Sequence, residues 1–250
     1  MVSPPRDAAT NMALDEVMLG TAAATGEVLV RLYQWDTATL SFGRNQRCRD
    51  VYSPERCAAL TVPAVRRPTG GRALLHAREV TYCVAAPTAL APTLRGGYEA
   101  INTLLLDALQ RLGVAATRAR PAGRTPVPGL APCFESPSAG ELVLDGRKLV
   151  GSAQHREQDA FLQHGSILLD DDQGMLGALA LVPLPAVPPP ATLRASLPTV
   201  SFGDVVDAIT AALRRAHGAA VPIESDAIIP PDHVQSARSR YRDPCWTWRR

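Results

Sequence analysis

Glu141-Leu142-Val143-Leu144-Asp145-Gly146-Arg147-Lys148-Leu149-Val150-Gly151-Ser152-Ala153 is the stretch whose reading decides the fold. Asp-Gly between two apolar runs is the signature of a two-residue hairpin turn, whose central residues take positive φ. Strands are therefore predicted over residues 141–144 and 147–153, with Leu144 opposite Arg147, Val143 opposite Lys148 and Leu142 opposite Leu149. Both faces of the hairpin are apolar, so it is expected to be covered on both sides. Lys148 then stands beside Val143 and Val150 on an inward, partly desolvated face. An ammonium there is costly unless it meets an anion or a polarised oxygen. The alternative is an edge strand from which Lys148 reaches water.

Composition singles out the same residue. Of the 26 basic side chains, 25 are arginine and one, Lys148, is lysine. A chain that uses arginine wherever a positive charge suffices keeps a lysine where a compact, rotatable ammonium is needed. Upstream lies a loop over residues 120–140, with five prolines from Pro121 to Pro137 and Cys133 between Pro132 and Phe134. A proline-held loop presents a side chain with little conformational freedom. A nearby cation such as Lys148 would favour its thiolate. The bland alternative is an ordinary exposed cysteine.

Working outward, residues 11–24 read as a helix capped by Asn11, with Asp15 and Glu16 favouring its first turns. Strands are predicted at 28–35, 39–43, 65–67, 79–86 and 160–169. A short helix opens at Ser53-Pro54. Apolar residues from Tyr98 to Leu112 recur at helical spacing until Gly113. The segment 66–76 joins two strands through Gly70-Gly71, where a glycine pair admits close backbone approach to a ligand or points amides at an oxyanion. Arg66, Arg67 and Arg72 around it favour an anionic ligand. His76 and His164 read either as general bases or as satisfied structural histidines. A Pro-rich connector, 183–190, leads to a tail with one clear helix, opened by an approximate capping box of Ser201 and Asp204. These readings give an α+β body over 1–182 and a small C-terminal subdomain over 183–250.

The chain has 250 residues, 46% apolar and 20% charged, with a net charge of +2. That composition excludes wholesale disorder and gives no footprint for nucleic acid. The longest apolar run, 177–187, is cut by Pro183 and Pro185, so no membrane span is expected. No apolar signal region opens the chain, so a cytoplasmic location is expected. The five cysteines form no CxxC pair, and with His76, His155, His164, His217 and His233 they show no metal-ligand spacing. Free thiols and no metal are expected. Cys57 and Cys83 read as packing residues. Cys48 lies among arginines without a shaped site, and Cys245 lies near the end of the sequence.

The ordered segments 11–16 (NMALDE), 40–46 (LSFGRNQ), 66–76 (RRPTGGRALLH), Cys133-Phe134 with Pro137, 145–154 (DGRKLVGSAQ) and 162–169 (LQHGSILL) resemble the biotin/lipoate protein ligase superfamily. The likeness extends over about residues 8–180 and more loosely into the tail. Within it, the chain resembles the cysteine-dependent, LipM-type octanoyltransferases. It reads GGR at 70–72 where the ATP-using ligases carry a third glycine, and it has the Cys-Phe-x-x-Pro loop. It departs from the pattern at Ala77, where an aspartate usually follows the histidine, and at Gly140, where an aromatic often precedes the glutamate.

The resemblance implies a mixed, largely antiparallel sheet with packed helices. It also implies transfer of an octanoyl group from acyl carrier protein to a lysine of the glycine cleavage H protein or of a lipoyl domain, without a cofactor. Cys133 matches the family's nucleophile and Lys148 its acyl-contacting lysine. Arg67, Thr69, Gly70, Gly71, Arg72, His76, Gly151, Ser152, Ala153 and His164 are the implied substrate-binding residues. Two other readings stand beside it: an ATP-dependent lipoate ligase of the same fold, and a non-catalytic carrier-binding or regulatory homologue.

Overall fold

Turn chemistry sets the centre of the structure. In the computed structural model, which describes residues 1–119, 133–134, 140–218 and 229–250, Asp145 and Gly146 take φ of 51° and 72°. They connect two short strands, numbered β7 (Leu142–Leu144) and β8 (Arg147–Lys148) in chain order, in the expected register of Val143 with Lys148 and Leu144 with Arg147. Leu149 is a pivot. Its N–H donates to Leu142 O at 3.0 Å, while its carbonyl accepts from Leu168 N at 3.3 Å. The extended chain thus leaves one sheet at Leu149 and enters another.

The elements before the hairpin are α1 (Ala8–Thr25), β1 (Leu29–Tyr33), β2 (Thr39–Phe42), α2 (Pro54–Ala59), β3 (Ala64–Arg66), β4 (Leu74–His76), β5 (Glu79–Pro87), α3 (Leu94–Arg111) and β6 (Thr117–Arg118). After it come β9 (Val150–Arg156), β10 (Ala160–Leu168), α4 (Leu176–Leu179), α5 (Leu193–Ser196), α6 (Phe202–His217), α7 (Pro231–Arg242) and α8 (Pro244–Thr247). The main sheet has the order β1-β5-β10-β9, antiparallel throughout. A second sheet, β3-β2-β4, pairs β2 parallel to β3 and antiparallel to β4. A third, β6-β7-β8, carries the hairpin. This is an α+β fold with mixed, largely antiparallel sheets.

The centre strands β5 and β10 are buried on both faces, and side-chain alternation divides them between two cores. Val80, Tyr82, Val84 and Ala86 join Ile101, Leu105 and Leu109 of α3 and Val205, Ile209 and Ala212 of α6. Cys83 and Ala85 face the other way, toward Met12, Met18 and Leu19 of α1. The first core takes residues from both sides of position 182 (Leu193, Val200 and Val205 beside Leu142 and Leu149), so the expected division at 182 runs through shared packing. Tyr241 of α7 likewise packs into the cluster of α1.

Local signals hold at several ends. Ser53 caps α2, and Ser201 with Asp204 forms a complete capping box on α6. One cap differs from the expected Asn11. Asp7 caps α1, taking Thr10 N at 2.9 Å, and the helix begins at Ala8. Asn11 is instead fully buried and donates to Arg6 O and Gln34 O.

Candidate active site

The loop cysteine is fixed from both sides of its peptide. Cys133 N donates to Ala73 O at 2.9 Å, and Cys133 O accepts from Lys148 Nζ at 3.0 Å. Phe134 is buried against Leu74 and Leu168. The neighbouring prolines of this loop, Pro132 and Pro137 among them, lie outside the described residues. Lys148 Nζ stands 3.7 Å from Cys133 Sγ and 2.8 Å from Glu141 Oε1, with Lys148 only 4% exposed. All three ammonium protons are therefore placed: one on a carboxylate, one on a carbonyl, one toward the sulfur. Burial opposes the charge, but the Cys133 and Glu141 charges outweigh it and hold Lys148 above its ordinary pKa.

Cys133 forms part of the wall of an open cleft with about 410 Å³ of empty space, counted out to its mouth. Met12, Tyr33, Trp35 and Leu74 give the cleft an apolar surface. Of the expected site residues, Arg67, Gly71, His76, Cys133, Gly151, Ser152, Ala153 and His164 line it. Four others lie behind that lining. Lys148 backs Cys133, and Thr69 Oγ1 lies 2.6 Å from His164 Nε2. Gly70 O and Arg72 O both accept from Arg67. Gly151 leaves room for this corner of the cleft, because a Cβ there would lie 3.0 Å from the Phe134 ring and 3.5 Å from Cys133 Sγ. Gly71, at φ 95°, holds the turn in the left-handed region, and a Cβ on it would come within 2.8 Å of Arg67 Nη2.

Both histidines are held at both nitrogens. His164 Nδ1 is 2.8 Å from Asp15 Oδ2, and burial keeps the ring below the ordinary histidine pKa despite that carboxylate. A neutral ring donates from Nδ1 to Asp15 and accepts the Thr69 hydroxyl at Nε2. His76 bridges Glu79 Oε1 at 2.7 Å and Ser41 Oγ at 2.8 Å. The expected role of Asp15 as an acid favouring the helix dipole is corrected here. It is fully buried, paired with Arg31 at 3.2 Å and bonded by Tyr33 at 2.9 Å.

Sequence reasoning missed Glu141 as the anion that meets Lys148. The signal was present: with Val143 opposite Lys148, Glu141 lies two residues away on the same face, a diagonal neighbour. It also missed Trp35, stacked on His76 at 4.0 Å between ring centres. The three buried thiols are poorly placed for chemistry. Burial raises Cys83, pushes Cys57 to about 11 and raises Cys48 against the opposing pull of Arg66. Among the described residues no group of three or more His, Cys, Asp or Glu could hold a metal. No helix among them is long and apolar enough to cross a membrane.

Comparison with known proteins gives this geometry a context. Residues 7–214 match the family described as the lipoyl protein ligase A/B catalytic domain. The chain is 46% identical over 186 residues to octanoyltransferase LipM of Kyrpidia tusciae, a match that covers 70% of this chain and 67% of that one. It is 39% identical over 193 residues to octanoyltransferase LipM of Brevibacillus brevis, covering 73% and 70%. A lipoate-protein ligase A crystallised with ATP superposes with a TM-score of 0.81 over 99% of this chain and 96% of that one, at 18% identity, and so shares the fold.

Proposed function

Because the chain belongs to the lipoyl protein ligase A/B catalytic-domain family, we propose that it is an octanoyltransferase of protein lipoylation that works through a thioester on Cys133. The observation that carries this reading is the position of Cys133 Sγ, 3.7 Å from Lys148 Nζ, in the wall of an apolar cleft. In the first step the thiolate attacks the octanoyl thioester of acyl carrier protein. The new S–C bond forms as the carrier's C–S bond breaks, and the carrier leaves as its own thiolate. In the second step the amine of an acceptor lysine, on the glycine cleavage H protein or a lipoyl domain, attacks the acyl-enzyme. An amide forms, Cys133 is released as thiolate, and the amine's proton passes to solvent. The acyl group arrives activated, so this route has no use for ATP.

Lys148 serves both steps. Once Cys133 is acylated, the ammonium proton that faced the sulfur is free to meet the acyl carbonyl oxygen, where charge develops. The Met12, Tyr33, Trp35 and Leu74 surfaces would hold the octanoyl chain, each buried methylene contributing about 0.8 kcal/mol. Gly71, Gly151, Ser152 and Ala153 line the same cleft as Cys133, which supports a place for them beside the acyl group. Free cysteines fit a reducing, cytoplasmic setting.

Mixing the protein with octanoyl-acyl carrier protein tests the reading. Intact mass should rise by one octanoyl group, the adduct should be lost on hydroxylamine treatment, and Cys133→Ala should abolish it. An adduct on another thiol would sink the assignment. ATP–pyrophosphate exchange with free octanoate or lipoate would favour a ligase instead.

A further inference from the structure

Glu141 is a carboxylate that thiolate formation does not call for. Its Oε1 lies 2.8 Å from Lys148 Nζ, and both residues are almost wholly buried. The same ammonium stands 3.7 Å from Cys133 Sγ, so two anions share one cation. A second negative charge this near works against the thiolate. Stability does not explain Glu141 either, since replacing a buried ion pair by apolar side chains is often neutral or stabilising. Among the described residues it is the one carboxylate in contact with Lys148.

The carboxylate is anchored apart from the cysteine. Glu141 O accepts from Ala119 N at 2.8 Å, just beyond β6, and Gly140 N donates to Ala119 O at 3.1 Å. Asn102 of α3, itself buried, donates to Gly140 O at 2.9 Å. Cys133 N donates elsewhere, to Ala73 O. The place of Glu141 thus does not depend on what the sulfur carries, and acylation removes the sulfur's charge. Burial opposes the charge of Lys148; of the two anions that outweigh it, Cys133 acts more strongly than Glu141. In the acyl-enzyme only Glu141 is left. We infer that Glu141 is a positioning residue for the second step, holding Lys148 as an ammonium aimed at the acyl carbonyl once the sulfur is no longer an anion. Without it the acyl-enzyme would bury a cation with no counter-charge, which sheds its proton or turns away from the developing oxyanion.

The inference rests on Cys133 being the nucleophile, but its test loads that thiol without the carrier. The Cys133 thiolate attacks p-nitrophenyl octanoate, p-nitrophenolate leaves, and peptide mass mapping locates the acyl group. The amine of Nα-acetyl-lysine amide then attacks the thioester, giving an amide, the free thiolate and a proton to solvent. Intact mass follows this loss of the acyl group. Alkylation of the unacylated enzyme by iodoacetamide reports the thiolate separately. Glu141→Gln keeps the shape and removes the charge. Aminolysis should slow by about tenfold, part of the about 10²–10³ that a lost oxyanion donor typically costs. Alkylation should stay within about threefold of wild type or rise, because the thiolate then has Lys148 to itself. A merely structural role would slow both. Aminolysis slowed by less than about threefold would overturn the inference, and so would alkylation slowed by more than about threefold. Should Glu141→Gln fail to fold, Glu141→Asp, which draws the carboxylate back by one methylene, decides by the same two limits. If wild-type Cys133 takes the octanoyl group from the ester but not from acyl carrier protein, the proposed function fails while the role of Glu141 stands. Failure of Cys133 to load from either would overturn both.

Discussion

Lys148→Arg keeps the charge and should still cripple the enzyme. The ammonium sits 2.8 Å from Glu141 Oε1 and 3.0 Å from Cys133 O, so it is already in contact on two sides and is almost wholly buried. A guanidinium is wider, and its planar fork would pair with Glu141 while pushing the Cys133 peptide outward. Overpacking of this kind costs about 1–3 kcal/mol. At about 2–4 °C per kcal/mol for a chain of this size, the melting temperature should fall by about 2–12 °C, and the protein should stay folded at 25 °C. The rate suffers more. A displaced donor no longer meets the acyl oxygen, and loss of one such donor typically costs about 10²–10³ in rate. Part of the donation survives in an arginine, so the expected loss is at least about tenfold, with Lys148→Ala lower still. Single-turnover formation of the acyl-enzyme, quenched and read by mass spectrometry, measures it. Acylation by Lys148→Arg at the wild-type rate would refute the argument that ammonium geometry, and not charge, is what this position requires.

Other perturbations have equally definite outcomes. Gly71→Ala places a Cβ within 2.8 Å of Arg67 Nη2 at φ 95°, so it should cost about 1–2 kcal/mol by thermal melting. Asp15→Asn leaves Arg31 buried without its anion and should destabilise by about 3–5 kcal/mol, measured by urea unfolding. Asp7 is held below the ordinary carboxylate pKa: partial burial opposes this, but hydrogen bonds from Thr10 and Arg238 prevail. The stability it contributes is therefore present above pH 3.8 and lost as the pH falls further, and Asp7→Asn should flatten that part of the acid limb. Lys148 is held above its ordinary value by Cys133 and Glu141 against burial. Its contribution is present at neutral pH and lost as the pH rises beyond 10.5, a loss that a Lys148→Met variant should not show in alkaline melts.

What could be read in the sequence was local. Asp145-Gly146 carries its turn type in two residues, and the register of Val143 with Lys148 follows from it. Ser53 and Ser201 announce their helices because a cap is satisfied within three residues. The lone lysine stands out because composition marks it. Asp15 was misread because its partners, Arg31 and His164, come from strands far along the chain, and nothing in its own helix tells a buried acid from a surface one. Helix α7 gave no signal for a similar reason: its one buried residue is Tyr241, and it is held by long-range bonds, Tyr241 and Arg240 to Glu16 and Arg238 to Asp7. Arg66 and Arg67 were flagged for their neighbourhood of arginines and glycines, but that both are buried, Arg67 against Ser41 and Arg66 against Gly43, Gln46 and Thr247, depends on segments distant in sequence.

The pivot at Leu149 has a consequence for how the protein responds to its substrate. One amide hydrogen at this residue locks β8 to β7, and one carbonyl locks the same chain to β10. Between Lys148 and Gly151, therefore, the backbone cannot open on the side of the hairpin without loading the bonds of the main sheet. Local opening of β7–β8 and of the Gly151–Ala153 stretch should occur as one cooperative unit. In hydrogen–deuterium exchange, the amides of Leu149 and Gly151 should then slow together when Cys133 carries an acyl chain.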